Sequence, residues 1–196
     1  AETLETDEAV DRILEQLKQV IPYDSASVQL LDGSELEIVG GSGFADSKAV
    51  IGIRFSIPSS NPNTVVVETG KPYLLRNVGN VYPEFTKPPH SHIKSWLGVP
   101  LIAQNKLIGL LAIDSAEEGH FTDDDINVAT TFADQVSVAI ENARIFKEAQ
   151  KQAITDPLTG VYNRRGLYQL AREDFNKANL AGSPFSTIMI DLDHFK

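Results

Sequence analysis

The stretch that decides the fold covers residues 95–132 and has the sequence SWLGVPLIAQNKLIGLLAIDSAEEGHFTDDDINVATTF. Two apolar runs flank residues 104–106, and this arrangement predicts a β-hairpin. At Thr122 the pattern changes to that of a helix start, because Asp125 three residues later completes a capping box with Asp in place of Glu. A hairpin followed at once by a helix predicts a sheet with a helix packed on it.

The preceding residues extend this sheet. Apolar residues at helical spacing predict an amphipathic helix over residues 6–21, and a second hairpin is predicted around Asp32-Gly33. Residues 62–71 are ambiguous, because Val65, Val66 and Val67 favour a strand while Pro62 and Gly70 favour a short helix, which we predict. Residues 40–63 are predicted to be loop-rich with a short strand near 51–55, and residues 77–95 to be a loop. This order of elements predicts an α+β domain with a central antiparallel sheet and helices on one face.

The helix that begins near residue 122 is predicted to continue to about residue 153. A length of about 30 residues exceeds that of ordinary globular helices. Two interpretations stay open: the helix pairs with a second helix, or it lies on its own sheet, mainly before Ile140. Both rest on apolar residues spaced three and four apart, namely Ala129, Phe132, Val136, Ala139, Ala143 and Phe146.

Composition excludes several functions. The net charge of −10 argues against nucleic-acid binding, and the sequence shows neither an apolar run long enough to span a membrane nor a signal peptide. Because the chain has no cysteine, it has no thiol nucleophile, thiolate metal site or disulfide.

Two stretches carry a family resemblance. The segment from Ile93 to Phe146, together with VVVETGKPYLLRNV at residues 65–78, resembles the GAF domain family. GAF domains are sensory or dimerising modules placed before signalling outputs. We therefore expect a GAF domain with its linker helix over residues 1–150, with a small-molecule ligand that the sequence does not identify.

The end of the sequence resembles a second family. TDPLTGVYNRRGL at residues 155–167, followed by IMIDLDHFK at residues 188–196, is similar to the start of the α/β GGDEF domain of diguanylate cyclases. A helix over residues 164–179 and a buried strand over residues 187–192 are predicted. The resemblance covers residues 154–196, without the signature for which the family is named, so these residues represent a truncated GGDEF domain.

The GGDEF resemblance implies a chemistry that joins two GTP molecules into cyclic di-GMP, with Mg²⁺ offsetting the phosphate charge. It places the metal at the Asp191 carboxylate and the Leu192 carbonyl. The GTP contacts that it implies are Leu158 for guanine and His194, Phe195 and Lys196 for the triphosphate. We expect no catalytic residue and no cyclase activity within these 196 residues. Asp156, Asn163, Arg164 and Arg165 match the opening motif, and we interpret them as structural rather than regulatory. Asp156 is predicted to cap a helix start ahead of Pro157.

The GAF half leaves its ligand open. Because the chain has no cysteine, it cannot attach a bilin through a thiol. It also lacks the thiol that free methionine sulfoxide reductases of this fold use. A cyclic-nucleotide motif is partly matched by Asn105, Lys106, Phe121 and Asp125, but Ile126 replaces its final Glu. We interpret Asn105 and Lys106 as a hairpin turn and Phe121 as covering the edge of the core. The histidines of the loop, His90 and His92, are interpreted as solvated, and Trp96 as a core residue.

These expectations describe a cytoplasmic, sensor-regulated diguanylate cyclase. GTP is its expected substrate, and a homodimer is expected through the helix of residues 6–21 and the linker helix. The alternative is a non-enzymatic binding or dimerisation module with a degenerate GGDEF domain. The sequence beyond Lys196 would distinguish the two, since only an enzyme needs an intact signature.

Overall fold

The structure is a computed structural model that describes residues 2–87 and 90–190, without the side chains of residues 2–7, 47 and 48. The chain forms two compact units, which divide after Ala143. The first holds a sheet and most of the helices, and the second holds the helix that follows residue 163. None of the described helices combines the length and the apolar character needed to cross a bilayer.

Six antiparallel strands form the sheet of the first unit, in the order β3-β2-β1-β6-β5-β4. Both predicted hairpins are present, β1 with β2 and β5 with β6. Gln104 and Asn105 turn the second hairpin with φ values of 50° and 60°, in the left-handed region that tight turns use. The strands are β1 (Ser25–Asp32), β2 (Glu35–Ser42), β3 (Arg54–Ser56), β4 (Tyr73–Leu75), β5 (Ser95–Ala103) and β6 (Lys106–Ser115).

Two helices, α1 (Glu2–Val20) and α4 (Asp123–Ile154), contribute side chains to one of the two apolar cores. The sheet supplies every second residue of its central strands to this core, as the strand repeat of two requires. The prediction of helices on one face is confirmed for these two. The buried members are Val10, Leu14, Leu17, Ile21, Tyr23, Ala26, Val28, Leu97, Val99, Leu101, Leu111, Ile113, Phe121, Ala129, Ala133 and Val136.

The opposite face of the sheet is covered by α3 (Pro62–Thr69) and by loops, including single-turn 3-10 helices at Val78–Asn80 and Pro83–Thr86. The predicted helix over residues 62–71 is therefore confirmed. Its N-terminus is capped by the Asn61 side chain and its C-terminus by left-handed Gly70. The core on this face contains Leu36, Ile57, Val66, Leu75, Val78, Trp96, Leu110 and Ala112.

Two short elements were not predicted. Strand β4 has three residues and pairs only with the edge of β5, and helix α2 (Ser47–Val50) has a single turn. Neither is long enough to show a periodic pattern. Strand β4 depends on its pairing with β5, whereas α2 is a single turn in which the Ala49 N–H donates to the Asp46 side chain.

The capping box at the start of α4 is formed as predicted. The Thr122 backbone N–H donates to Asp125 Oδ2 over 2.7 Å, and the Asp125 N–H donates to Thr122 Oγ1 over 3.4 Å. The helix then runs to Ile154. Up to Ile140 most of its apolar residues pack against the first core, with Val138 exposed, which confirms that this part of the helix lies on its own sheet.

In the second unit, α5 (Arg164–Ala181) follows the opening motif. Asn163 caps its N-terminus and left-handed Gly182 follows its C-terminus. Residues 183–190 are in neither helix nor strand, so the strand expected over residues 187–192 is not formed in its described part. A strand needs a hydrogen-bonded neighbour, and none of the described strands pairs with these residues. Ile188, Met189 and Ile190 are accordingly more than 80% exposed.

The capping box gives a test of the fold. Replacing Thr122 by Ala should lower the free energy of unfolding by about 1 kcal/mol, because the Asp125 N–H loses its acceptor. Urea denaturation followed by the fluorescence of Trp96 measures it. Thr131→Ala, which removes an exposed hydroxyl bonded to the Asn127 carbonyl within the same helix, is the matched control. An equal effect of the two changes would contradict the capping role.

Candidate functional site

A row of buried polar side chains lies on the α3 side of the sheet. Along β1, Ser25, Ser27 and Gln29 alternate with Ala26 and Val28, which belong to the core with α1 and α4. The three polar side chains therefore face α3, and all are buried. A sheet face between strands and a helix is ordinarily apolar, so this polar row marks the candidate ligand-binding face.

Hydrogen bonds link the middle of this row to α3. The Asn63 side chain on α3 donates from Nδ2 to Gln29 Oε1 over 2.8 Å, and Gln29 Nε2 donates to Ser27 Oγ over 2.9 Å. All three side chains are buried. The chain of bonds fixes the orientation of both amides, so the face presents a defined pattern of donors and acceptors.

At the end of β6, Asp114 extends the row. Ser25 Oγ donates to Asp114 Oδ2 over 2.7 Å, while Asp114 Oδ1 is buried and has no hydrogen-bond partner. Burial raises the pKa of Asp114 to about 6, and nearby Asp24 adds to the rise. The Ser25 hydrogen bonds and the His92 ring act in the opposite direction. The site therefore holds a carboxyl group that titrates near neutral pH and has one unused oxygen.

The adjacent carboxylate, Asp24, has a different role. It accepts from the Ala116 N–H over 2.6 Å and from Ser115 Oγ over 3.0 Å. The Ala116 N–H is the main cause of a lowered Asp24 pKa, because a bond to the charged form favours that form. Asp24 thus fastens the loop after β6 to the start of β1.

Apolar side chains surround the polar row on the same face. Trp96, the cross-strand partner of Asp114, is buried and meets Tyr73 edge to face with ring centroids 6.4 Å apart. Gly98 leaves room for the indole, since a Cβ there would approach the Trp96 ring to 2.2 Å. The interpretation of Trp96 as core is confirmed, and the face combines one carboxyl group with an aromatic wall.

The partial cyclic-nucleotide motif does not come together as a site. Asn105 lies in the hairpin turn, Phe121 is fully buried in the core with α1 and α4, and Asp125 caps α4. Lys106 begins β6 at the end opposite Asp114. The structure therefore assigns the residues of this motif to turn, core and cap, as interpreted from the sequence.

The histidine pair shows no metal site. His90 packs on Phe85 with ring centroids 5.5 Å apart, and His92 is exposed. Within residues 2–87 and 90–190, no group of three or more His, Asp or Glu side chains could hold a metal ion.

The opening motif of the second unit builds a turn and a helix start. The Asp156 carboxylate accepts from the N–H groups of Leu158 and Thr159 and from the Thr159 hydroxyl, and the Thr159 N–H is the main cause of its lowered pKa. Asp156 thus caps the turn of residues 157–159 rather than a helix. Asn163 accepts from the Gly166 N–H and donates to the carbonyls of Ala153 and Thr155. Both side chains are structural.

Of the GTP and metal residues implied by resemblance, only Leu158 is among the described residues. Its side chain lies in the turn and is 91% exposed. Five others lie outside the described residues: Asp191, Leu192, His194, Phe195 and Lys196. Their assignment as ligands stays a prediction.

Sequence reasoning missed the polar row itself, namely Ser25, Ser27, Gln29, Asn63 and Asp114. One signal was present: polar residues stand at every second position of an otherwise apolar strand over residues 25–29. With the opposite positions assigned to the core, such alternation on a central strand indicates a buried polar face. Asp114 gave no such signal, because it is a single carboxylate near the end of an apolar strand, without polar residues alternating before it.

Comparison with family models gives two matches. A model described as GAF domain matches residues 3–141, and one described as diguanylate cyclase, GGDEF domain, matches residues 153–196. No curated protein sequence matches the chain.

Several solved structures share the fold of the first unit. The GAF domain of a two-component sensor histidine kinase from Bacillus halodurans has a TM-score of 0.61 at 19% identity, over 72% of this chain and 97% of that chain. The GAF domain of an Acinetobacter phosphoenolpyruvate-protein phosphotransferase has a TM-score of 0.57 at 20% identity, over 72% of this chain and 94% of that chain. Type II free methionine-R-sulfoxide reductase from Thermoplasma acidophilum has a TM-score of 0.59 at 17% identity, over 72% of this chain and 96% of that chain. At these identities the likeness shows the fold alone.

The buried carboxyl group gives a pH test. Because the folded pKa of Asp114 is about 6 against an ordinary 3.8, its contribution to stability is complete below about pH 4. It is lost as the pH rises through 6, by about 3 kcal/mol in all. Asp114→Asn should remove this part of the pH dependence. The stability of the variant relative to the parent should therefore rise between pH 4 and 7.

Urea denaturation with Trp96 fluorescence at several pH values measures this difference. Asp32→Asn, at the exposed end of β1, is the control and should follow the parent. Parallel pH profiles for the parent and Asp114→Asn would contradict a raised pKa at Asp114.

Proposed function

Because the chain belongs to the GAF domain family over residues 3–141 and continues into a GGDEF segment, we propose that it is the sensory half of a cytoplasmic diguanylate cyclase. A GGDEF output implies GTP as the substrate and cyclic di-GMP as the product. The GAF domain receives a small-molecule signal on the α3 side of its sheet. The GGDEF domain converts that signal into the rate at which two GTP molecules are joined.

The observation that supports this proposal best is the continuity of α4. The helix begins at Asp123 with a capping box and continues to Ile154, one residue past the start of the GGDEF match. The last residues before the opening motif are therefore helical. A helix is a stiff element, so a displacement of α4 at the sheet would be passed along the chain to the GGDEF segment.

The GGDEF match implies a metal-dependent reaction in the intact domain. We propose Mg²⁺ as the metal, held by the Asp191 carboxylate and the Leu192 carbonyl, because Mg²⁺ prefers hard oxygen ligands and shares them with phosphates. Lys196 supplies positive charge to the triphosphate, beside His194 and Phe195. Leu158, which is exposed, is available to guanine. When bound, the metal offsets the phosphate charge.

Cyclase activity tests this assignment. The 196-residue chain should make no cyclic di-GMP from GTP, because one metal carboxylate without the signature loop cannot hold two nucleotides. A chain extended through the complete GGDEF domain should make it, and Asp191→Asn in that chain should lower kcat at least about 100-fold. Asp174→Asn, an exposed carboxylate on α5, is the control.

Product formation is followed by chromatography at saturating Mg²⁺ and GTP. Activity of the 196-residue chain would overturn its proposed inactivity. An inactive extended chain that still binds GTP would favour the alternative of a non-enzymatic binding module. Full activity of Asp191→Asn would remove Asp191 from the metal site.

We also propose a homodimer, in which α4 pairs with its copy and α1 contributes. Val138 lies on α4 and is 60% exposed, while Ile145, one heptad further along the same helix, and Phe146 are also exposed. Apolar residues one heptad apart on an exposed helix face are typical of helix pairing. Phe132, by contrast, packs against the core, so a charge there would destabilise the domain and would not report on pairing alone.

Sedimentation velocity tests the dimer. The parent chain should sediment as a dimer, and Val138→Glu or Ile145→Glu should shift it toward monomer, because each places a charge in an apolar interface. Lys147→Glu, exposed on the opposite side of the helix, should stay dimeric. A monomeric parent, or dimers for both variants, would contradict pairing through this face.

A further inference from the structure

Asp114 Oδ1 is a buried acceptor that the described protein leaves unused. The carboxyl group is 8% exposed, and its other oxygen takes the Ser25 hydroxyl proton over 2.7 Å. Oδ1 itself has no donor. A carboxylate oxygen removed from water without a donor is among the most costly arrangements in a protein. Such an atom in a native fold needs an explanation, and a water, an ion or a ligand group that donates to it is one.

Ser25, Gln29 and Asn63 on the same face already use their side-chain donors on atoms other than Oδ1. Ser25 donates its hydroxyl proton to Oδ2, and the Gln29 and Asn63 amides donate to Ser27 and Gln29. Asp24 is itself a carboxylate that accepts from Ala116 and Ser115. The His92 ring, which acts on Asp114 through its charge, is exposed and does not donate to Oδ1.

From this arrangement we infer that the α3 side of the sheet binds a cationic nitrogen group of a small molecule, with Asp114 Oδ1 as its acceptor. The inference rests on the proposed sensory function and names the chemical class of its ligand: an ammonium, amidinium or guanidinium attached to an apolar body. A charged donor makes the strongest bond to a carboxylate. It also removes the cost of a buried negative charge.

The surroundings of Asp114 favour this class over others. Trp96 is its cross-strand partner and offers an aromatic surface to an apolar or cationic group. Val66, Leu110 and Ala112 belong to the same core. A phosphate or carboxylate is disfavoured, because Asp114 and Asp24 would repel it and the chain carries a net charge of −10.

Three small probes of the same shape separate the alternatives. Benzamidine is a cation on an apolar ring, benzamide is its neutral relative and benzoate is its anionic one. Each is titrated into the 196-residue chain at millimolar concentration, and the indole N–H signal of Trp96 is followed by ¹H–¹⁵N NMR. Trp96 is the cross-strand partner of Asp114 and the only tryptophan of the sequence, so its signal reports binding beside Asp114.

We expect benzamidine to shift the Trp96 indole signal saturably, benzamide to bind at least about 10-fold more weakly and benzoate to cause no shift. Asp114→Asn should weaken benzamidine binding at least about 10-fold, while Asp32→Asn should leave it unchanged. If Asp114→Asn does not fold, the order of the affinities of the three probes for the parent chain still shows whether the site prefers a cation.

Three results would overturn the inference. The first is benzoate binding as tightly as benzamidine, and the second is no saturable shift with benzamidine. The third is unchanged benzamidine affinity in a folded Asp114→Asn variant, which would place the cation elsewhere. Because these titrations measure binding alone, their failure removes the cation site and leaves the cyclase output to the activity assay described above.

Discussion

Strand β1 lies between β2 and β6 and is buried on both of its faces, and this constraint determines the rest of the first unit. A strand places successive side chains on opposite faces. Ala26 and Val28 therefore enter the core with α1 and α4, while Ser25, Ser27 and Gln29 enter the space under α3. A shift in register by one residue would exchange the two sets, so a single strand fixes which face is the core and which is the polar site.

The two faces of the sheet differ in composition. The face toward α1 and α4 is mainly apolar, and its core includes residues of the helix that continues toward the GGDEF segment. The face toward α3 has buried polar groups, including a carboxyl group with an unused oxygen. Asp114 on the polar face and Ile113 in the core with α1 and α4 are neighbours in β6, so one strand contributes to both.

Elements marked by a hydrophobic period, a tight turn or a helix cap could be predicted from the sequence, whereas those that depend on pairing in space could not. The hairpins, α3, α4 and the capping box of Thr122 and Asp125 follow from local patterns that the structure confirms. Strand β4 and the polar face depend on which segments pair in space, and no local pattern encodes that. Residues 187–190 show the reverse case, because their strand propensity has no described neighbour to pair with.

We propose that the α3 side of the sheet is a ligand-binding face organised around Asp114. Native mass spectrometry of the purified chain, compared with the same sample denatured, is the first test of this proposal. The native chain should carry a discrete mass above that of the bare chains, removed by denaturation and absent from Asp114→Asn. Bare masses for the parent chain, or an identical excess in the variant, would show that Asp114 does not organise a ligand site.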